Sequence, residues 1–249
     1  MKIQSIDINC DLGEEIGNEA ELMPFLSSCN IACGGHAGNE EIIRSVIKLA
    51  KEHRVKVGAH PSFPDRENFG RQEMKISEVD LKNSLIQQIE LVKKECLENG
   101  ILMNHIKPHG ALYNLCNVNE FYAQMVVAII EDFYPETKLY APYKSKISAV
   151  AKGRIPIYFE GFADRNYEPD YTLVSRQKNN AIIKEKEAVF KHVFDMISKQ
   201  KIKAVDGTIL LTKVDTICLH GDNPKAVEIL QYTYQKLYNK NIKIEKTEK

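Results

Sequence analysis

Seven short β-rich runs punctuate the chain, and each gives way to a turn and then to a helical pattern or a long loop. They are Ile3–Asp11, Cys29–Gly34, Lys56–His60, Met103–His109, Lys138–Ala141, Ile157–Phe162 and Thr216–Gly221. Such alternation from end to end points to parallel strands joined by crossover helices. Ile42, Ile43, Val46, Ile47 and Ala50 make one helical stripe; Leu81, Leu85, Ile89, Val92 and Cys96 make another. The second opens on a Ser77-x-x-Asp80 capping box and closes on Asn99-Gly100. Further helices are expected from Asn119 to about 133, near 144–152, over 184–199, and after an Asn223-Pro224 start. At 249 residues, one α/β domain over 1–249 accommodates all of this. Both an open doubly wound sheet and a barrel fit. The sequence has neither Gly-x-Gly-x-x-Gly nor Gly-Lys-Ser/Thr, which weighs against a doubly wound nucleotide fold. Ile244–Lys249, rich in lysine, reads as a frayed tail.

Lys+Arg and Asp+Glu both number 34, so the net charge is zero. Neither nucleic acid nor an anionic membrane is an expected partner for such a chain. No run approaches the ~18 apolar residues of a membrane span. Asp7 interrupts the N-terminus before a signal-peptide core can form, so the cytoplasm is the expected location. Six cysteines without a Cys-x-x-Cys pair read as buried free thiols.

Polar residues concentrate where the strands end. Period-2 alternation puts Asp7, Asn9 and Asp11 on one face of the first strand, with Asp7 read as a surface or strand-start residue and Asp11 at the mouth. His36, His60, His109 and His220 each follow a different strand, and His105, Lys107 and His109 share a face. An α/β scaffold gathers such ends at one rim, where histidines shuttle protons or bind metal. Asp11, His36, His60, His109 and His220 are therefore candidate metal ligands, although no His-x-x-x-His pair is present. His53 and His192 fall on helices and read as surface residues. Glu160 lies within an apolar strand, so it is either buried and paired or functional. Two long connections, Pro61–Ile76 and Ala163–Ala181, follow strand ends. They carry Arg66 and Arg71 in the first, and Asp164, Arg165 and Arg176 in the second, as candidates for closing over an anion.

Several strings together resemble the LamB/YcsF family. They are Asn9–Glu14, Asn30–Gly38, Val57–Ser62, Pro64-Asp65-Arg66 with Phe69-Gly70-Arg71, His105–Asn114, Phe162–Arg165 and Leu219–Asp222. The resemblance runs in order from about residue 3 to 240. It implies an irregular seven-stranded (β/α) barrel, TIM-barrel-like, of the glycoside hydrolase/deacetylase type. It also implies the role of the A subunit in an ATP-dependent 5-oxoprolinase, cleaving 5-oxo-L-proline to L-glutamate with ATP hydrolysed to ADP and phosphate. Subunits B and C would be the partners, and ATP with Mg²⁺ the co-substrate. Family members often carry Gly-Phe-His where this chain has Gly34-Gly35-His36, and a turn ending in Pro-Arg where it has Tyr171–Gln177.

On this reading Asp11, His60, Lys107, His109 and Glu160 are the catalytic candidates. Asn9, His36, Arg66, Arg71, Asp164, Arg165, Arg176, His220 and Asp222 are candidates for binding substrate or anion. Lys107 with Arg165 or Arg176 would hold a carboxylate or phosphoryl group, Asp11 or Glu160 would activate water, and His60 or His109 would protonate the lactam nitrogen. Two other readings fit the residues: a metal-dependent amide or carbohydrate deacetylase on the same barrel, and a non-catalytic binding or regulatory subunit.

Overall fold

The computed structural model describes residues 5–247. Seven parallel strands close into a barrel: β1 (Ser5–Leu12), β2 (Ser28–Ala32), β3 (Lys56–His60), β4 (Met103–Ile106), β5 (Lys138–Pro142), β6 (Ile157–Phe162) and β9 (Thr216–Leu219), with β9 returning to β1. The hairpin of β7 (Lys201–Lys203) and β8 (Ile209–Leu211) stands outside it. An outer layer is formed by α1 (Glu19–Leu22), α2 (Glu40–His53), α3 (Glu78–Glu98), α4 (Gly110–Val118), α5 (Glu120–Phe133), α6 (Lys146–Ala151), α7 (Lys186–Lys199) and α8 (Ala226–Tyr238). No described helix is long and apolar enough to cross a membrane.

The helical stripes do what their spacing demands. On α2, Ile43, Val46, Ile47 and Ala50 are buried against the barrel, and the Asn39 side chain caps the start by accepting from the Ile42 N–H. On α3 all five stripe residues are buried, and Ser77 caps Asp80 N–H. The last helix starts later than its Asn223-Pro224 signal. Lys225 is its N-cap, while Asn223 donates its side-chain amide to Asp164. Helix α4 is unforeseen, because it follows His109 immediately, has no side-chain cap and begins at Gly110 with φ +55°. Gly110 is required by close approach: a Cβ there would lie 2.5 Å from the Gly70 carbonyl oxygen. That contact clamps the Pro61–Ile76 loop against the start of the helix, where Ala111 N–H donates to Gly70 O.

Parallel register carries the period-2 alternation of β1 around the barrel. Asn9 pairs with Ser28 and Cys218, Asp11 with Asn30, and Asp7 with Thr216. The lumen is therefore polar, which is tolerable only if its groups satisfy one another. Asn9 donates to Glu160 and Thr216 and accepts from Asn30 at 2.7 Å. Asn30 donates in turn to Asp11 and accepts from His105 Nε2 at 2.7 Å. Asp7 accepts from Ser28 and Thr216 and pairs with Lys56, so it is fully buried at the floor rather than on the surface. Burial outweighs these partners and raises its pKa. All six cysteines are free and buried.

The floor also explains a departure at the C-terminus. Residues 244–249 do not begin as a frayed tail: β10 (Lys243–Ile244) pairs with β1, and Glu245 pairs with Lys56. Lys56 thus has two carboxylate partners, which anchors the chain end beneath the barrel. Residues 248–249 lie outside the described residues. His192 is also not a surface residue. It is half-buried near Tyr167 with Nε2 unpartnered, and burial pulls its pKa down to about 4.

Gly58 is required by packing. A Cβ there would fall 2.2 Å from Nε2 of His105, whose ring stacks on Tyr140 at 3.9 Å and is tied to Asn30. The ring cannot retreat, so Gly58→Ala should destabilise the barrel by about 1–3 kcal/mol through overpacking. Urea unfolding measures it; an unchanged midpoint would show that the lumen yields.

Candidate active site

The strand C-termini open into a cleft of about 590 Å³ lined by Asp11, Glu14, His60, Arg71, Lys107, His109, Tyr113, Phe162, Arg165, Arg176, His220 and Asp222 among others. Its base is the Lys107 ammonium. Lys107 leaves the end of β4 toward the barrel axis, where Nζ lies 2.8 Å from Asp11 Oδ1, 3.1 Å from Glu160 Oε1 and 3.1 Å from Cys218 Sγ. Burial opposes its charge, but Asp11 and Glu160 outweigh that and hold its pKa well above the ordinary lysine value. The Asp11 carboxylate is likewise disfavoured by burial, yet His60 and Lys107 keep it well below the usual range.

Asp11 and Glu160 differ in what they leave free. Glu160 Oε1 is held by Asn9 and Lys107, and Oε2 accepts from Tyr113 at 2.8 Å. Glu160 does not line the cleft. Asp11 Oδ1 is held by Asn30 and Lys107, whereas Oδ2 has only the His60 ring, at 3.5 Å. Glu160 therefore positions Lys107, and Asp11 presents an oxygen at the cleft.

His60, His109 and Glu14 form the second wall, with His36 behind them. His36 Nε2 lies 3.2 Å from Glu14 Oε1, and His109 Nδ1 lies 3.5 Å from the same oxygen. His60 Nε2 and His109 Nδ1 are 3.0 Å apart. Burial lowers the pKa of His36 against the pull of Glu14; burial, with His36 and His60 adding, drives His109 well below the ordinary histidine value. Glu14, His36, His60 and His109 converge closely enough to hold one metal ion, as do Asp11, Cys218 and His220.

The third wall carries His220, backed by Asp164. His220 Nδ1 lies 2.8 Å from Asp164, which also accepts from Asn223. Burial opposes the Asp164 charge; His220 and Asn223 overcome it and lower its pKa. Over the mouth, Asp222 accepts from Arg71 at 2.6 Å and Arg176 at 3.0 Å, joining the two long loops. Arg165 donates to the Val174 and Ala181 carbonyls and lines the cleft. Burial, and Arg176 nearby, bring its pKa down to about 10.

Most of the expected residues thus gather in one place. Asn9, His36, Glu160 and Asp164 stand behind the cleft wall, touching residues that line it. Arg66 is apart: it points back to the Gly34 and Gly38 carbonyls and to Glu15, and it stitches its own loop. Glu14 and Tyr113 belong to the site although sequence reasoning does not single them out. The signal for each is its place in a family-like string, Glu14 just beyond a strand end in Asn9–Glu14 and Tyr113 on the unforeseen helix in His105–Asn114.

The closed parallel barrel with helices outside it is TIM-barrel-like, and its rim carries histidines and carboxylates. A deacetylase structure captured with substrate, T48, matches at a TM-score of 0.52 with 10% identity, covering 96% of this chain and 86% of that one, which speaks for the fold alone. The LamB/YcsF family model matches residues 6–249, and the chain belongs to that family. It is 43% identical over 237 residues to the A subunit of 5-oxoprolinase from Bacillus cytotoxicus, covering 93% of this chain and 94% of that protein. The lactam utilization protein of Thermus thermophilus superposes with a TM-score of 0.91 at 29% identity, over 98% of this chain and all of that one.

Proposed function

We propose that this chain is the A subunit of an ATP-dependent 5-oxoprolinase, opening the lactam of 5-oxo-L-proline to L-glutamate together with companion subunits B and C. The carrying observation is the buried Lys107 ammonium, locked between Asp11 and Glu160 under a cleft edged by Arg71, Arg165 and Arg176. The relatives named as 5-oxoprolinase A subunits support the reading.

A lactam is a resonance-stabilised amide. Its hydrolysis needs an activated carbonyl, a directed water and a protonated leaving nitrogen. ATP with Mg²⁺ supplies the activation. We assign the nucleotide to a companion subunit, because this sequence lacks a Walker-type loop. The arginines bind the substrate carboxylate or a transferred phosphoryl group, for which Asp222 is the resident stand-in. Lys107 stabilises negative charge developing on the carbonyl oxygen. Asp11 accepts the proton of the attacking water through Oδ2. His220, oriented by Asp164, is a better proton donor to the leaving nitrogen than His60 or His109, whose rings hold backbone carbonyls.

Glutamate release from 5-oxoproline, measured with and without ATP and the candidate B and C subunits, tests the proposal. Release is expected only when ATP and all three chains are present. ATP-independent release abolished by EDTA would replace this reading with metal-dependent amide hydrolysis. Full turnover by B and C alone would leave this chain a non-catalytic subunit.

A further inference from the structure

His60 Nδ1 lies 2.7 Å from the Lys107 carbonyl oxygen, and His109 Nε2 lies 3.0 Å from that of Phe69. A carbonyl oxygen only accepts, so each of these nitrogens carries the ring hydrogen. In the neutral rings that a metal would take, the opposite nitrogens, His60 Nε2 and His109 Nδ1, are bare lone pairs, and they face each other at 3.0 Å. Their next neighbours are acceptors too: Glu14 Oε1 is 3.5 Å from His109 Nδ1, and Asp11 Oδ2 is 3.5 Å from His60 Nε2. Two imidazole lone pairs and two carboxylate oxygens thus face one another, and of these only Glu14 Oε1 has a donor nearby, His36 Nε2 at 3.2 Å. One proton would serve a single pair of these atoms, whereas one cation serves both imidazoles and Glu14 together.

We propose that His60 Nε2, His109 Nδ1 and Glu14 Oε1 bind one divalent transition-metal ion of the zinc class, with its remaining position open to the cleft.

Spacing and ring planes select this set. Ligand bonds of 2.0–2.1 Å in a tetrahedron put ligand atoms about 3.3 Å apart, and the separations here are 3.0 and 3.5 Å. The His60 and His109 rings are 83° apart, so their planes meet and one ion can lie in both. The His36 and His109 rings are stacked at 3.6 Å and 3°, so no nearby point lies in both planes. His36 is therefore excluded as a co-ligand. Its Nε2–H instead donates to Glu14 at 3.2 Å and orients that carboxylate, as the two backbone carbonyls orient the imidazoles. The neighbouring cluster of Asp11, Cys218 and His220 is not a second metal site, because the Lys107 ammonium already occupies its centre of negative charge. Two imidazoles and one carboxylate suit zinc, cobalt, nickel or iron better than magnesium. An ion there would polarise an oxygen beside Asp11.

The test uses the full chain, stripped with a chelator and titrated with Co²⁺, then Zn²⁺. Saturation at about one equivalent is expected, with visible bands of four- or five-coordinate Co²⁺ that Zn²⁺ abolishes. Glu14→Gln and His60→Gln should each weaken binding more than about 100-fold, and His36→Gln by about 10- to 100-fold, as for a residue orienting a ligand. Absence of saturable Co²⁺ and Zn²⁺ binding by the folded wild-type chain would overturn the site, as would unchanged binding in folded Glu14→Gln and His60→Gln variants. Should both variants unfold, the wild-type stoichiometry and Co²⁺ spectrum decide alone. The readout needs no substrate, so its failure is distinguishable from failure of the lactam reading.

Discussion

Lys107→Met should cut ATP-dependent glutamate release by about 10²–10³-fold in kcat, the usual cost of losing one preorganised donor to a developing oxyanion. The same substitution should also destabilise the fold, and the two effects have different origins. In the native barrel Nζ lies within 3.1 Å of both Asp11 and Glu160, which are buried. Methionine fills much the same volume but leaves two carboxylates facing each other with no cation between them. Removing one partner of a buried pair costs about 3–5 kcal/mol, which for a chain of this size lowers Tm by on the order of 10 °C. Glu160→Gln in the Lys107→Met background removes one of the stranded charges. The double variant should therefore regain part of the lost Tm and none of the lost turnover. Recovery of both together would make the role of Lys107 purely structural, and wild-type kcat in folded Lys107→Met would remove it from the site.

Much of this arrangement is legible in the sequence because strand periodicity and strand ends are local signals. The alternation of Asp7, Asn9 and Asp11 assigns them one face, and the run His105-Ile106-Lys107 does the same on β4. What alternation cannot supply is the partner across the barrel. Asn9 meets Glu160, and Lys107 meets Asp11, only once seven strands have closed in a particular register. Asp7 departs from its expected place for the same reason: an aspartate at a strand start is normally solvated, but closure and the returning C-terminal strand bury this one. Loop conformation is equally hidden. Arg66 and Arg71 sit five residues apart in one connection. The first turns outward to carbonyls of the Gly34–Gly38 segment, while the second reaches Asp222 at the cleft mouth. Helix α4 escapes sequence reasoning because a glycine at its first position looks like a stop, although here it admits the Gly70 carbonyl. Tyr113, which fixes Glu160, is hidden with it.

Asp164→Asn should lower kcat by about 10²–10⁴-fold, the range for disabling a positioned acid–base group. The Asp164 carboxylate accepts from His220 Nδ1 on one oxygen and from the Asn223 amide on the other. An asparagine offers one oxygen for these two donors, and its amide hydrogens must face one of them. If the amide faces His220, the imidazole moves its hydrogen to Nε2; if it faces Asn223, two donors are opposed in a buried place. Either way the Nδ1–H tautomer and the stabilisation of a protonated ring are compromised. Stability supplies a second readout, with a definite sign. The folded pKa of Asp164 is depressed, with His220 and Asn223 overcoming burial. Its contribution is therefore complete above the unfolded aspartate value of about 3.9, and is lost as pH falls through the folded pKa. The stability gap between wild type and Asp164→Asn should narrow as pH drops below about 4. Urea unfolding across that drop, paired with turnover at neutral pH, checks both. A gap that persists undiminished into acid would mean that the carboxylate charge is not what Asp164 contributes. Unimpaired turnover in Asp164→Asn would mean that His220 does not deliver the proton to the leaving nitrogen.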